Sequence, residues 1–290
     1  MVVDPNTDAS DLNAPLGEPG SGRRRYAAAM ALYQAGALPE GALEVYRICA
    51  ARDAQNPEDV LREWGYVMTE RATPGAQAAL GTLVDEVDRY LGTLAGHGIA
   101  AVQDGIARWR NGMMDTGRGR GHPVVSQHLE AVLAPLRQTH ATLARAIEAA
   151  VPFLDWLHFS DYPAEEIGEA FLAGNAYCII IGERGLIRAE GFDLGLFLIA
   201  PHLLYRDHHH KAPELYAPLT GPHGWRFSPG GPLCLKPAHE PVWNEPDAPH
   251  LTKVGPVPFL CIYGWTRDVN DPPQVIPADD WAALEALRLE

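Results

Sequence analysis

Hydrophobic positions follow two patterns along this chain, and the change comes near residue 170. In the first part, apolar residues return every three or four positions, the period of a helix with one buried face. The run "RRRYAAAMALYQAGALPEGALEVYRICARDAQ", from Arg23, is rich in alanine and leucine, which keep helix formation inexpensive. Gly36 and Pro39 punctuate it, so it predicts two short helices. A third is expected in "NPEDVLREWGYVM", with Asn56 as cap and Pro57 in the first turn. Between Thr73 and Met114, Leu80, Leu83, Val84, Val87 and Leu91 share one helical face. After the glycine- and arginine-rich link "DTGRGRGHP", a long helix is expected, its face carried by Leu129, Val132, Leu133, Leu136, Leu143 and Ile147. Pro135 should bend or interrupt it.

In the second part the runs become short, β-branched and aromatic, with Gly and Pro between them: "AYCIIIG", "GLFLIAP", "ELYAPLTG", "WRFSPGG", "PLCLKPA", "PVW" and "VPFLCIYGWT". Each suits a strand, and no long helical pattern intervenes, so the expectation is an antiparallel sandwich or small barrel rather than a doubly wound sheet. "PADDWAALEALRLE" reads as a closing helix. The expected organisation is a flexible polar arm over 1–22, a helical region over 23–170 and a β barrel with a short terminal helix over 171–290.

Composition narrows the function classes. The chain has 290 residues, 47% of them hydrophobic, enough for a substantial core. Lys plus Arg number 23 against 37 Asp plus Glu, a formal charge of -14. That balance argues against a broad surface for nucleic acid or anionic lipid, and it tolerates a cationic small molecule. Neither a basic leader with an apolar run nor an apolar span of membrane length is evident, so the expected location is cytoplasmic. Cys49, Cys178, Cys234 and Cys261 have no metal-knuckle or redox spacing and are expected as buried free thiols. "GERGLIRAEG" lacks the glycine spacing and the terminal Lys-Ser or Lys-Thr of a phosphate loop. The expected partner is a small zwitterionic or carboxylate substrate, with a homodimer left open.

Histidine distribution carries the strongest chemical signal. Seven of the twelve histidines lie between His202 and His250. If "DHHHKAPELY" is extended, His208 and His210 point to one side and His209 to the other. Glu214 and Tyr216 then share a face of the following strand, and a turn through Lys211 to Pro213 can bring that face round to the imidazoles. Two nitrogens and a carboxylate oxygen suit zinc or another divalent first-row metal better than calcium. The remaining ligand must come from a distant strand. His250 is the leading candidate and His239 its competitor, while His202 and His223 are expected in structural or supporting roles.

The runs "YRDHHHKAPELYAPLTG" and "PHLTKVGPVPFLCIYGW" resemble the dimethylsulfoniopropionate (DMSP) lyase family of metal-dependent cupins. The likeness is densest from Ala176 to Trp265, and His208, His210 and Glu214 fit the cupin pattern His-x-His-x3-Glu. The resemblance implies a mainly β cupin barrel, a double-stranded β-helix, with an α-helical N-terminal extension. It implies His210, Glu214 and His250 as core metal ligands, Tyr216 as general base, and Tyr205 and His208 as catalytic-pocket neighbours. Generic cupins use the equivalent of His208 as a ligand, so His208 is either a fourth ligand or a hydrogen-bonding pocket residue. The implied ion is zinc first, then iron(II), manganese(II) or nickel(II). The implied reaction is β-elimination of DMSP to dimethyl sulfide and acrylate, with Trp225, Trp243, Tyr263 or Trp265 offering aromatic faces to the sulfonium. A cupin dioxygenase, isomerase or other lyase acting on another carboxylate or a sugar-derived substrate is the alternative, ahead of a non-catalytic ligand-binding cupin.

Overall fold

The structure is a computed structural model that describes Leu12 and residues 14–34, 38–64, 74–115, 119–159 and 162–289. Most of the expected N-terminal arm, the turn at Gly36, the end of the helix read from Asn56 and part of the link after Met114 lie outside the described residues. The chain forms two compact units, 1–75 and 76–290.

The first unit holds α1 (Ser21–Gln34), α2 (Glu40–Cys49) and α3 (Pro57–Glu63). Ala29, Val45, Tyr46 and Leu61 meet in its core. Asp53 accepts the backbone N–H groups of Gly20 and Gly22 at 2.9 and 2.8 Å, satisfying donors that the first turn of α1 leaves open.

The second unit starts with α4 (Pro74–Leu91), α5 (Ile99–Trp109), α6 (Pro123–Thr139) and α7 (Ala141–Ala150), followed by the short helices α8 (Ala164–Ile167) and α9 (Glu169–Ala173). Pro135 lies inside α6, which continues past it to Thr139, so of the bend or interruption expected there the interruption does not occur. The break comes one turn later at His140, whose φ of -136° and ψ of 60° leave the helical region.

Among the described residues eleven strands follow: β1 (Asn175–Gly182), β2 (Ile187–Arg188), β3 (Asp193–Ile199), β4 (Leu204–His209), β5 (Glu214–Pro218), β6 (His223–Arg226), β7 (Cys234–Lys236), β8 (Val242–Asn244), β9 (His250–Lys253), β10 (Phe259–Trp265) and β11 (Gln274–Val275), with α10 (Trp281–Ala286) after them. They form one sheet in the order β2-β1-β3-β10-β5-β8 and a second in the order β11-β4-β9-β6-β7. All pairings are antiparallel except β1 with β2. This is a cupin-type β architecture with helices beside it. No helix among the described residues is long and apolar enough to cross a membrane.

Strand alternation explains why both faces of the first sheet are apolar. Leu194, Leu196 and Leu198 of β3 and Leu260 and Ile262 of β10 pack with Val87, Val102, Val132 and Ile147 from α4 to α7. Intervening residues, including Phe197, Tyr216, Phe259 and Tyr263, join Tyr205 and Trp225 of the other sheet in a separate core. Each fully buried Leu or Ile contributes about 1.5–3 kcal/mol, so the helical layer holds the sheet that carries Glu214 and Tyr216.

The second sheet is clamped from its C-terminal side. Buried Arg226 of β6 donates from Nε to Asp207 of β4 at 3.0 Å and from Nη1 to Asp280 at 2.5 Å, and Trp281 Nε1 donates to Asp207 at 2.7 Å. β11 pairs with the other edge of β4 at His208 and His209. Cys49, Cys178 and Cys261 are buried free thiols, but Cys234 is exposed because β7 is an edge strand.

Candidate metal centre

The register of the second sheet places His208 of β4 directly opposite His250 of β9. A bulge between Tyr205 and His208 shifts that register, so the Tyr205 and His208 rings stack with centroids 3.9 Å apart. His210 comes just after β4, and Glu214 opens β5 in the facing sheet. The ligand-capable atoms of His208, His210 and His250 all lie within 4.8 Å of one another, and all three residues are buried.

The backbone sets the direction of each imidazole. Nδ1 of His208 lies 2.8 Å from the Arg206 carbonyl, that of His210 2.7 Å from Ala212, and that of His250 2.9 Å from Ala248. A carbonyl oxygen only accepts, so each ring carries its proton on Nδ1 and turns Nε2 to the centre. Nε2 of His210 and of His250 lie 3.3 and 3.4 Å from Glu214 Oε2. Among the described residues, the buried Nε2 atoms of His208 and His250 have no hydrogen-bond partner. Bonds of about 2.1 Å in a tetrahedron separate ligand atoms by about 3.4 Å, so this donor set fits a divalent first-row ion. Orphaned buried nitrogens are costly otherwise.

The carboxylate is oriented as firmly as the rings. Glu214 Oε1 accepts from Trp265 Nε1 at 2.7 Å, and Oε2 accepts from Asn244 Nδ2 at 3.0 Å. Both donors stand directly opposite Glu214, one on each flanking strand. Burial opposes ionisation of Glu214, but the adjacent His210 overcomes it and holds the carboxyl well below its usual range. Burial likewise opposes charge on His210, and Glu214 overcomes it, raising the imidazole. Burial, reinforced by His250 and His210, keeps His208 neutral.

Tyr216 lies two residues after Glu214 on the same face of β5, buried against Trp225, Phe259 and His250. Burial, and then the charge of Glu214, push its phenol well above its usual range. Tyr205 is held between the His208 and Phe171 rings, and its hydroxyl lies 2.9 Å from that of Tyr162. Tyr205, His210, Glu214 and Tyr216 line one cavity of about 400 Å³.

The other candidates lie elsewhere or play other parts. His239 hydrogen-bonds Tyr90 at 2.9 Å and packs against His140, so His250 and not His239 meets Glu214. Tyr263 and Trp265 line the cavity; Trp225 is buried beneath Tyr216, and Trp243 projects from the opposite sheet face toward His97. Asn244, Arg184 and Asp193 belong to this region and were not among the sequence candidates. His202 contributes its carbonyl to Lys253 Nζ at 2.6 Å.

His223 is structural and makes a testable contribution. Its Nδ1 accepts the Gly255 N–H at 3.1 Å, so its proton sits on Nε2, 3.1 Å from Thr220 Oγ1. Burial pushes this imidazole down to about 4 from 6.5. Between those values the unfolded chain takes up a proton that the folded chain refuses, so this stability is complete above 6.5 and is lost as pH falls toward 4. Urea unfolding at pH 7 and pH 4.5 should show His223→Gln losing about 2 kcal/mol less on acidification than the unmodified chain. Equal losses would show that His223 does not control this window.

The chain is similar to known proteins in both sequence and fold. The dimethylsulfoniopropionate lyase family model matches residues 102–261, more than half of the chain and all of the candidate metal-binding residues. The "Putative dimethylsulfoniopropionate lyase DddL" of Cereibacter sphaeroides is 32% identical over 151 residues, which cover 49% of this chain and 60% of that relative. The match therefore spans less than two thirds of the relative's length. A crystal structure from a set of DMSP lyases, RdDddP and RnDddQII, superposes with a TM-score of 0.53 at 20% identity, covering 70% of this chain and 100% of the other. DMSP lyase DddQ from Ruegeria pomeroyi gives 0.52 at 18% identity, covering 70% and 98%. These two structures support the shared fold, and the sequence match extends the likeness through the strands that carry the imidazoles and the carboxylate. The chain belongs to the dimethylsulfoniopropionate lyase family.

Proposed function

We propose that this protein is a metal-dependent carbon–sulfur lyase that converts DMSP to dimethyl sulfide and acrylate by β-elimination. The observation that carries this reading is the clustering of three backbone-tethered imidazoles, two of them beside Glu214, next to a phenol that lines the same cavity as that carboxylate. His210, Glu214 and His250 would hold the ion, with His208 as the fourth donor, and zinc is the first choice for such a nitrogen-rich set.

A neutral phenol is a poor base, and the protein surroundings of Tyr216 make it poorer. A divalent ion held by these donors would supply positive charge that favours the phenolate and makes the C–H beside a substrate carboxylate more acidic. Tyr216 Oη then takes that proton. The C–H electron pair becomes the new C=C bond as the C–S bond breaks, and the sulfur leaves with the bonding pair as neutral dimethyl sulfide. That leaving group needs no acid. Asn244 and Trp265 keep the Glu214 carboxylate in one orientation, while Tyr205 holds the plane of the His208 ring.

Anaerobic incubation of the zinc-reconstituted full chain with DMSP, with dimethyl sulfide and acrylate both measured, tests the proposal. Equal amounts of the two products are expected. Oxygen-dependent turnover with iron, and none under anaerobic conditions, would overturn the elimination in favour of an oxygenase.

A further inference from the structure

Besides Glu214, two carboxylates line the cavity: Asp271 is paired with Lys211 at 3.1 Å, and Asp193 has no task in this elimination. Asp193, at the start of β3, stands opposite Trp265 of β10, which stands opposite Glu214 of β5. Residues directly opposite in antiparallel strands project from the same face, so Glu214, the Trp265 indole and Asp193 form one row. Two strand steps of about 4.8 Å put the acidic positions about 10 Å apart.

The neighbouring row on this face is Tyr216, Tyr263 and Gly195. A Cβ at position 195 would fall 1.9 Å from the Cys178 carbonyl oxygen of β1 and 2.6 Å from Tyr263 Cε1, so glycine admits both the neighbouring strand and the ring. A Cβ at position 182 would fall 2.1 Å from Asp193 Oδ1, so glycine there leaves room for the carboxylate itself. Asp193, Tyr263 and Trp265 all line the cavity. Burial pushes the Asp193 carboxyl up to about 7, and Arg184 on the same cavity wall only partly opposes that rise.

We infer that Asp193, with the rings of Tyr263 and Trp265, forms a cation subsite that selects the positively charged end of a zwitterionic substrate whose carboxylate lies at the histidine cluster. The assignment rests on the lyase reading for the direction in which the substrate lies. Three single bonds of about 1.5 Å put the sulfur of DMSP about 4 Å from its carboxylate carbon, which suits a charged head between the two ends of this row. Aromatic faces and a carboxylate attract an alkylated cation that has few hydrogen-bond donors of its own. Once the C–S bond breaks, the departing sulfide is neutral and that attraction disappears. The subsite therefore favours substrate over product and acts on KM more than on kcat.

An unreactive pair of ligands of matching shape isolates the charge: 3-(trimethylammonio)propanoate and 4,4-dimethylpentanoate. Calorimetry on the zinc-loaded full chain at about pH 8.5, where a carboxyl near 7 is ionised, should show the cationic ligand binding at least about tenfold more tightly, about 1.4 kcal/mol. Asp193→Asn should cut the preference severalfold, to the part the aromatic rings supply, while leaving 4,4-dimethylpentanoate within about twofold, which also reports that the cavity is intact. In turnover of DMSP this variant should raise KM severalfold with kcat nearly unchanged. An undiminished preference, or equal weakening of both ligands, would overturn the assignment, as would a fall in kcat at unchanged KM. If the unmodified chain prefers the cation but does not cleave DMSP, the lyase reading fails and the subsite stands. If it cleaves DMSP and Asp193→Asn keeps the full preference, only the subsite fails.

Discussion

Tyr216→Phe should lower DMSP turnover by about a hundredfold to ten-thousandfold, the range for loss of a positioned base, while metal content stays at the level of the unmodified chain. The substitution removes one oxygen from a buried ring held by Trp225 and Phe259, so the packing that positions β5 remains. Glu214, two residues earlier, keeps its partners Trp265 and Asn244. Separate measurement of bound metal and of product formation checks the prediction. Parallel loss of metal and activity would make the phenol chiefly a ligand, and retained activity would remove it from the reaction.

His250→Ala should remove most of the bound ion and most of the activity together, with metal affinity falling at least about a hundredfold. His250 joins the centre only because β9 pairs with β4 and Ala248 fixes its ring. Alanine also leaves Glu214 buried beside fewer positive or donor partners, so the centre loses charge balance as well as a ligand atom. His239→Ala is the control: its partners are Tyr90 and His140, and metal content should not change. The opposite outcome, metal lost with His239→Ala and kept with His250→Ala, would reverse the assignment. Acid should also weaken metal binding, because a proton on His210, which Glu214 favours, occupies the nitrogen that faces the ion.

The parts of the site legible in sequence are those encoded by local spacing. Alternation places His208 and His210 together and Glu214 with Tyr216, and a short turn joins the two pairs. The choice between His250 and His239 depends on strand register across the second sheet, which sequence spacing does not contain. Asn244 and Asp193 escaped notice because each sits in a short or largely apolar run. The available signal was phase: Asn244 alternates with inward Val242, and Asp193 shares the phase of Gly195 and Phe197 on an otherwise apolar strand.

The helices show the same division. Leu80, Leu83 and Val87 reveal a buried helix face by period alone. The interruption expected at Pro135 instead falls at His140, because α6 accommodates the proline and the chain departs from helical dihedrals where α7 begins. Cys234 looked like a core thiol by composition, yet its exposure follows from the edge position of β7 in the sheet order.

One divalent ion held by these imidazoles and Glu214 underlies all of the proposed chemistry. Elemental analysis of the zinc-equilibrated full chain, joined to X-ray absorption at the zinc edge, reads that ion and its shell. One zinc per chain is expected, in a shell dominated by imidazole nitrogen and reduced in His250→Ala. Substoichiometric zinc under saturating conditions, or a shell without imidazole scattering, would contradict it.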